Sequence, residues 1–279
     1  MKEKLIAIIK IIRPVNFLIT FASVIVSAII CAPENLLILK VFLATLSAGL
    51  AASAGNIIND IFDIEIDRIN QPQRPLPSGT LTIKEAYSFY FVCLILSVIL
   101  SVFVSYFALI IVVVSNLILV VYSKYLKRIP LVGNITVAFL TGLVFIFGGV
   151  VVENPSAAII PASFALMINL IRELVKDMQD VEGDKGAGII TFPIKFGFLR
   201  TKYLMLIPSV ILIIMTTIPF IYEIYKIEYF VVVMVIVNPL LIFTIKKLFD
   251  DDSLKNLIKI SNLLKLNMIF GLIAIFLGK

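Results

Sequence analysis

The sequence NDIFDIEID, residues 59–67, ends an apolar run that begins near Leu36, and KDMQDVEGD, residues 176–184, ends another that begins near Ser156. Each stretch carries three aspartates with the same internal spacing: Asp60, Asp63 and Asp67, then Asp177, Asp180 and Asp184. On a helix, offsets of three and seven residues bring such a trio to one face. Carboxylates at the edge of a hydrocarbon phase are costly and usually functional, so each trio predicts a half-site for a cation.

The rest of the chain predicts a membrane protein. Hydrophobic residues make up 61% of the 279 residues, more than a soluble domain of this length needs for its core. Runs of about 20 apolar residues, the length that a helix needs to cross a bilayer, recur along the chain. They begin near Val15, Leu36, Ile83, Phe107, Leu131, Ser156, Thr201, Tyr229 and Leu257.

We therefore expect an all-α, polytopic membrane protein with about nine transmembrane helices in one bundle. The whole chain, residues 1–279, is predicted to be a single domain with an internal pseudo-repeat that relates the two aspartate trios. The third and fourth runs are separated only by residues 101–106, and Lys265 lies inside the ninth run, so the ends of these helices are the least defined.

Lysine and arginine are distributed unevenly over the predicted loops. If the N-terminus is cytoplasmic, all of the 24 Lys and Arg residues except Lys40, Lys226 and Lys279 lie on the cytoplasmic side. Both trios then lie at the cytoplasmic ends of the second and sixth helices. The basic N-terminal segment leads directly into a full-length span, so no cleaved signal is expected. The net charge of +6 favours anionic lipid or phosphate nearby and requires no nucleic-acid partner.

The chain lacks histidine, and its two cysteines, Cys31 and Cys93, lie in or beside apolar spans without CxxC spacing. Neither a zinc site nor a disulfide framework is indicated. A site of carboxylates and Asn59 suits a hard cation such as Mg²⁺, which takes one or two carboxylates and completes its shell with waters and substrate phosphate oxygens. A diphosphate substrate would supply those oxygens.

Basic segments accompany both trios. RINQPQRPLPSG, residues 68–79, contains prolines that prevent a regular helix, and EGDKGAGIITFPIKFG, residues 182–197, is expected to form a glycine-rich loop. YSKYLKR, residues 122–128, ends the fourth span with further cations. Folded over a diphosphate, these segments would exclude water and offset its charge. The cations predicted to contact it are Arg68, Arg74, Lys127 and Lys185.

Together these motifs resemble the UbiA superfamily of intramembrane prenyltransferases. The resemblance covers nearly the whole chain and is carried by NxxxDxxxD at residues 59–67, DxxxD at 180–184, Tyr122-Ser123, Lys127-Arg128 and the nine-span layout. Within the superfamily, INQPQRPLPSG (69–79) and RELVKDMQDVEGDKGAG (172–188) look most like the enzymes that form the second ether bond of archaeal lipids. Chlorophyll synthases share much of the first segment.

The resemblance implies Mg²⁺-dependent transfer of a geranylgeranyl group from geranylgeranyl diphosphate to the free hydroxyl of geranylgeranylglyceryl phosphate, on the cytoplasmic side of the cell membrane. The implied metal ligands are Asn59, Asp63, Asp67, Asp180 and Asp184. The implied catalytic residues are Asp60, Asp177 and Tyr122, and the implied acceptor-binding residues are Arg13, Asn16, Lys124, Arg128 and Arg172. The prenyl chain would lie among apolar helices, next to membrane lipid. The hydroxyl proton would pass to a carboxylate of the second trio or to released diphosphate.

Other interpretations remain at this stage. An aromatic or pigment prenyltransferase of the same superfamily would need fewer cations for its acceptor. A cation transporter built from repeats could also place carboxylates on equivalent helices, although near the bilayer midplane rather than at helix ends. A CDP-alcohol phosphotransferase is disfavoured because no DG followed by AR precedes the aspartates. Individually, Arg68, Arg74 and Lys127 could simply mark the cytoplasmic side.

Overall fold

The computed structural model describes residues 2–32 and 37–279, and the regular secondary structure within these residues is helical. Its α-helices are α1 (Lys2–Ile12), α2 (Pro14–Cys31), α3 (Ile38–Phe62), α4 (Ile64–Asn70), α5 (Ile83–Val102), α6 (Tyr106–Lys124), α7 (Val132–Val151), α8 (Ile159–Gln179), α9 (Val181–Gly186), α10 (Phe192–Phe196), α11 (Phe198–Ile221), α12 (Ile227–Val232), α13 (Asn238–Asp250) and α14 (Leu254–Leu277). A 3₁₀ turn, Leu126–Arg128, follows α6, and another, Pro155–Ala158, precedes α8. A π-helical segment, Val233–Val237, joins α12 to α13.

Nine segments of the described chain are long and apolar enough to cross a membrane, which confirms the predicted all-α, polytopic fold. They are α2, α3, α5, α6, α7, the 3₁₀ turn with α8, α11, the continuous α12–α13, and α14. Their starts fall within about one helical turn of the predicted positions. The exception is Leu36, the predicted start of the second span, which lies outside the described residues.

The two aspartate-bearing spans are the most enclosed helices of the bundle. In α3 and in the segment that contains α8, 61% of the most apolar stretch is buried, compared with 22–44% in the other spans. Small residues allow this close packing, as is usual between membrane helices. A Cβ at Gly49 of α3 would lie 2.5 Å from Phe17 of α2, and one at Gly55 would lie 2.8 Å from Leu119 of α6. The sequence thus places both trios on central helices.

The remaining helices surround these two. α3 packs against α2, α5 and α6, whereas α8 packs against α7, α11 and α14. Contacts between α2 and α7 and between α14 and α2 join the two groups, so the helices enclose a central space. At the end opposite the aspartates, Asn154 Nδ2 donates to the Cys31 carbonyl at 3.0 Å, and the Lys226 amide donates to the Gly278 carbonyl at 2.9 Å.

Both central helices break at the middle aspartate of their trio. Asp63 separates α3 from α4 with φ −98° and ψ 8°, and Asp180 separates α8 from α9 with φ −95° and ψ 6°. In both places the backbone amide of the third aspartate donates a hydrogen bond to the carbonyl of the middle one. The Asp67 amide donates to the Asp63 carbonyl at 2.7 Å, and the Asp184 amide donates to the Asp180 carbonyl at 2.9 Å. This matching geometry supports the predicted pseudo-repeat. The expectation that each trio shares one uninterrupted helix is wrong, because the middle residue leaves helical geometry.

Two other local expectations need correction. The segment 182–197 is not simply a loop, since it contains most of α9 and all of α10. The amphipathic α1 before the first span was not predicted. The prolines of 68–79 behave as expected, because α4 ends at Asn70 and turns follow. Lys265 does not interrupt the last span, which runs as one helix from Leu254 to Leu277.

Candidate active site

The first half-site, defined here as Asn59, Asp60, Asp63 and Asp67, surrounds the break between α3 and α4. Asp60 and Asp67 are 3% and 4% exposed, so their charges are largely withdrawn from solvent. Asn59 Nδ2 donates to Asp63 Oδ2 at 2.7 Å, as expected for two side chains one helical turn apart. The local sequence therefore brings four oxygen-bearing side chains to the same end of the bundle.

Cations from three separate elements neutralise this half-site. Arg74, in the turns after α4, binds both carboxylate oxygens of Asp67 at 2.7 and 2.8 Å and lies 3.5 Å from Asp60. Arg13, between α1 and α2, pairs with Asp60, and Lys127, in the 3₁₀ turn after α6, pairs with Asp63. Burial raises the pKa of Asp67 despite Arg74, and burial lowers the pKa of Lys127 to about 8. Each aspartate of the first half-site therefore has a protein cation as its partner.

The second half-site, defined as Asp177, Asp180 and Asp184, has a different environment. Asp177 accepts a hydrogen bond from Asn134 Nδ2 of α7 at 2.9 Å. Within the described residues, neither this residue nor Asp180 nor Asp184 has a lysine or arginine nitrogen within 4.0 Å. Burial, reinforced by the Asp180 charge, raises the pKa of Asp184 to about 7, and burial also raises that of Asp180. The carboxylates of the second half-site therefore have no ion-pair partner in the described residues, and an added cation would favour their ionised form.

Asn70, the last residue of α4, joins the two half-sites. Its Nδ2 donates to the Asp180 carbonyl at 3.2 Å, and its Oδ1 accepts from the Gly183 amide at 3.0 Å. A Cβ at position 183 would lie 2.3 Å from Asn70 Nδ2, so this approach requires glycine. One side chain thus fixes the start of α9 against the end of α4.

The donor set fits a hard divalent cation. Asn59 Oδ1 is buried and accepts no hydrogen bond from the described residues, so an oxygen ligand at the first half-site is free. No group of three or more His, Cys, Asp or Glu side chains in the described chain is already arranged around a metal position. Carboxylate and amide oxygens are the protein ligands that suit Mg²⁺, which takes few carboxylates and depends on waters and phosphate oxygens for the rest of its shell.

A cavity of about 350 Å³ lies within the bundle, and Asn59 of the first half-site is in its lining. Its polar end is lined by Arg13, Asn16, Asn59, Tyr122, Arg172, Glu173, Lys176 and Lys265. Deeper, its walls are apolar and include Ile111, Val144, Phe147, Phe164, Leu212 and Val237. A space that is polar at one end and apolar further in matches a ligand with a charged head and a hydrocarbon tail.

The structure separates the predicted binding residues into two groups. Arg13, Asn16, Tyr122 and Arg172 line the cavity, and Arg74 and Lys127 contact the first half-site. The others are exposed and lie outside the cavity lining: Arg68 pairs with Glu65, Lys124 lies 5.0 Å from the centre of the Tyr125 ring, and Arg128 and Lys185 face outward.

Several cavity residues lay outside the sequence-based site. Glu173 is 4% exposed and binds both Arg172, at 3.1 Å, and Lys176, at 2.9 Å. It precedes Asp177 by one helical turn, so the helical spacing of the second trio could have revealed it. Lys265 was noted only as an interruption of an apolar span, yet an ionisable residue inside such a span usually faces the interior of the bundle. Asn70 and Asn134 gave no sequence signal.

These observations define an integral membrane enzyme with two adjoining carboxylate half-sites, joined by Asn70, and a cavity that is polar where Asn59 lines it and apolar further in. This arrangement suits substrates with a diphosphate head and a hydrocarbon tail. The profile of the UbiA prenyltransferase family matches residues 19–269, and the chain belongs to this family.

Curated relatives are similar over their full length. The chain is 37% identical over 276 residues to the digeranylgeranylglyceryl phosphate synthase of Methanocaldococcus jannaschii, covering 99% of this chain and 97% of the relative. It is 33% identical over 270 residues to the enzyme of the same name from Methanosphaera stadtmanae, covering 97% and 98%.

Solved structures share the fold. A structure of a digeranylgeranylglyceryl phosphate synthase has a TM-score of 0.78 and 37% identity, covering 99% of this chain and 98% of that one. A UbiA homologue from Archaeoglobus fulgidus, solved with bound DMAPP and Mg²⁺, has a TM-score of 0.66 and 20% identity, covering 96% and 98%. At that identity, the second likeness concerns the fold alone.

Proposed function

We propose that this prenyltransferase transfers a geranylgeranyl group from geranylgeranyl diphosphate to the free hydroxyl of geranylgeranylglyceryl phosphate, with Mg²⁺ as its cofactor. The observation that carries the proposal is the pair of carboxylate-bearing helix breaks, joined by Asn70, beside a mostly apolar cavity that Asn59 lines. Full-length relatives named for this ether-lipid reaction support the choice of acceptor.

The donor diphosphate would lie between the two half-sites. Asn59, Asp63 and Asp67 would hold one Mg²⁺, and Asp180 and Asp184 the other. When bound, Mg²⁺ stabilises negative charge on the diphosphate oxygens as that group leaves. Arg74 and Lys127 already lie at the first half-site and would contact the same oxygens. The exposed Arg68 and Lys185 would contribute long-range attraction at most.

Bond breaking is heterolytic in this proposal. The allylic C–O bond of the donor breaks, both electrons leave with the diphosphate, and the allylic carbocation is captured by the acceptor hydroxyl oxygen. The hydroxyl proton passes to the released diphosphate, because Asp177 is engaged by Asn134 and Asp60 by arginines. Asp60 and Asp177 would then orient their neighbours, and Tyr122 would bound the space beside the reacting carbon. The apolar walls would hold the prenyl chain and keep water from the cation.

The active site would face the cytoplasm, since the loops at the aspartate end carry nearly all lysines and arginines. Ser78 is exposed in the loop after α4, so a Ser78→Cys variant reports the side of that loop. In sealed cells, an impermeant thiol reagent should label it only after permeabilisation. Labelling of intact cells would reverse the orientation without changing the proposed chemistry.

The activity test uses purified protein, geranylgeranyl diphosphate, Mg²⁺ and a panel of acceptors. We expect ether formation on geranylgeranylglyceryl phosphate, its loss in excess EDTA and its recovery on addition of Mg²⁺. Asp180→Ala, which alters the second half-site, serves as the inactive control. Better turnover of 4-hydroxybenzoate or a chlorophyllide would assign the protein to aromatic or pigment prenylation instead. Full activity in EDTA would refute the role of the metal.

A further inference from the structure

Beside the two half-sites, the cavity contains a second group of charges that the donor does not need. Arg172 and Lys176 of α8 and Lys265 of α14 line the same part of the wall, with Glu173 between the first two. The packing of α14 against α8 brings Lys265 to the cavity wall that Arg172 and Lys176 also line. Here three positive charges face one carboxylate.

The bonding within this group is incomplete. Glu173 engages Arg172 and Lys176, whereas Lys265 has no carboxylate within 4.0 Å among the described residues. Arg172 Nε is buried and donates no hydrogen bond to them. Asn169, one turn earlier on α8, is 3% exposed, lines the cavity and has an unpartnered Nδ2. Buried donors without partners are rare in folded proteins, so two of them on residues that line one cavity fit the binding of an anion there.

We infer that Lys265, with Arg172, Lys176 and Asn169, forms an anion subsite for the phosphate monoester of the acceptor, separate from the diphosphate centre. The inference rests on the proposed function and adds the residues that recognise the acceptor head. A phosphate monoester carries a charge of about −1.5 to −2 at neutral pH. This is close to the excess of two positive charges left by three cations and Glu173. The free Nε–H of Arg172 provides a directional donor to phosphate.

The position of the subsite agrees with the chemistry of the acceptor. On glycerol, a free hydroxyl lies only one or two carbon atoms from the carbon that bears the phosphate. The phosphate must therefore bind beside the reacting centre without entering it. Lys176 precedes Asp180 by one helical turn, which places the subsite next to the second half-site.

The test compares geranylgeranylglyceryl phosphate with its phosphate-free analogue, geranylgeranylglycerol. Binding of each to the wild type, Lys265→Gln and Lys265→Arg is measured by calorimetry without donor, followed by acceptor KM and donor KM. Lys259→Gln is the matched control, because Lys259 is exposed on the same helix and lies outside the cavity lining. Thermal unfolding of each variant establishes that it is folded, and Arg172→Gln provides a second probe of the subsite.

Lys265→Gln should weaken binding of the phosphorylated acceptor roughly tenfold to a hundredfold, as expected for a lost charge-assisted contact. Binding of geranylgeranylglycerol and the donor KM should be unchanged, and Lys265→Arg should restore most of the affinity. If Lys265→Gln and Arg172→Gln bind the phosphorylated acceptor like the wild type, or if their donor KM rises equally, the subsite is wrong while the proposed function stands. A wild type that neither binds nor prenylates this acceptor would refute both.

Discussion

The two half-sites have equivalent aspartates but differ in their ion-pair partners. In the first, Asp60, Asp63 and Asp67 are all paired with arginine or lysine. In the second, Asp177 accepts a hydrogen bond from the side-chain amide of Asn134. Within the described residues, Asp177, Asp180 and Asp184 form no ion pair. Identical spacing in sequence has therefore produced one half-site whose aspartates are paired with protein cations and one whose aspartates form no ion pair with the described residues.

This difference suggests how the centre fills. The second half-site can accept a cation without displacing protein groups. If Asp63 holds Mg²⁺ as proposed, Lys127 would have to leave it, and the donor diphosphate would give the ammonium a new partner. Lys127 is thus positioned to exchange a carboxylate partner for a phosphate one. The predictions below test this contrast between the half-sites.

The largest effects should come from Asp63→Ala and Asp180→Ala, because each removes a proposed metal ligand from a different half-site. Both should reduce turnover roughly a thousandfold or more, since several kcal/mol of charge stabilisation is lost. Their stabilities should differ. Asp63→Ala leaves the largely buried Lys127 unpaired and should lower the free energy of unfolding by about 3 kcal/mol, whereas Asp180→Ala removes an unpaired carboxylate and should cost little.

Steady-state turnover and denaturant unfolding in detergent measure the two effects separately. Near-native activity in either variant would refute the two-cation centre. Equal destabilisation of both variants would refute the difference in ion pairing between Asp63 and Asp180.

A smaller effect is expected where the half-sites meet. Gly183→Ala would place a Cβ 2.3 Å from Asn70 Nδ2 and displace the side chain that joins α4 to α9. Misplacement of the half-sites by about 1 Å should lower kcat roughly a hundredfold. Gly186→Ala is the matched control in the same short helix, because its Cβ would meet only the flexible end of Ile69, at 2.9 Å. Similar kcat values for the two variants would show that the junction has no catalytic role.

Lys127→Met should strengthen metal binding at the first half-site, whereas Asp63→Ala removes a proposed metal ligand there. Without its ammonium partner, Asp63 is free for a metal, so the substrate-free protein should bind Mg²⁺ about tenfold more tightly at the first half-site. Calorimetry with Mg²⁺ alone measures this, with the exposed Lys84→Met as control. Donor KM should rise at the same time because a diphosphate contact is lost. Unchanged or weaker metal binding would contradict the displacement of Lys127 by the cation.

The smallest effect should be that of Arg68→Gln. Arg68 pairs with Glu65 at 2.9 Å, and the two side chains are 60% and 75% exposed, so the pair contributes about 1 kcal/mol or less. Donor KM should change by less than about twofold, whereas Arg74→Gln, in the same basic segment, should raise it at least about tenfold. Equal effects of the two substitutions would mean that the loop rearranges around the substrate.

The sequence predicted those features that depend on composition or on spacing along a single helix. The nine spans follow from apolar runs, and the equivalence of Asp63 and Asp180 follows from their shared spacing. Contacts between helices were not predictable, because they depend on how each helix is rotated in the bundle. The pairing of Lys127 with Asp63 and the bridge from Asn70 to Gly183 are of this kind.

Lys265 illustrates the same limit within the site. In sequence it is a single charge inside an apolar span, and only the packing of α14 against α8 brings it to the cavity that Arg172 and Lys176 line. The predicted acceptor residues Lys124 and Arg128 show the converse, since a cation near a motif can face away from the cavity.

The matched breaks at Asp63 and Asp180 bear on the ancestry of the fold. Each half of the chain contributes one broken helix and one set of carboxylates, so neither half alone could surround a diphosphate. A half-length forerunner could have completed the centre only by associating with a second copy of itself. Fusion of two such copies would have freed them to diverge, and the ion pairs of Arg74 and Lys127, which are made with aspartates of the first half-site, mark that divergence.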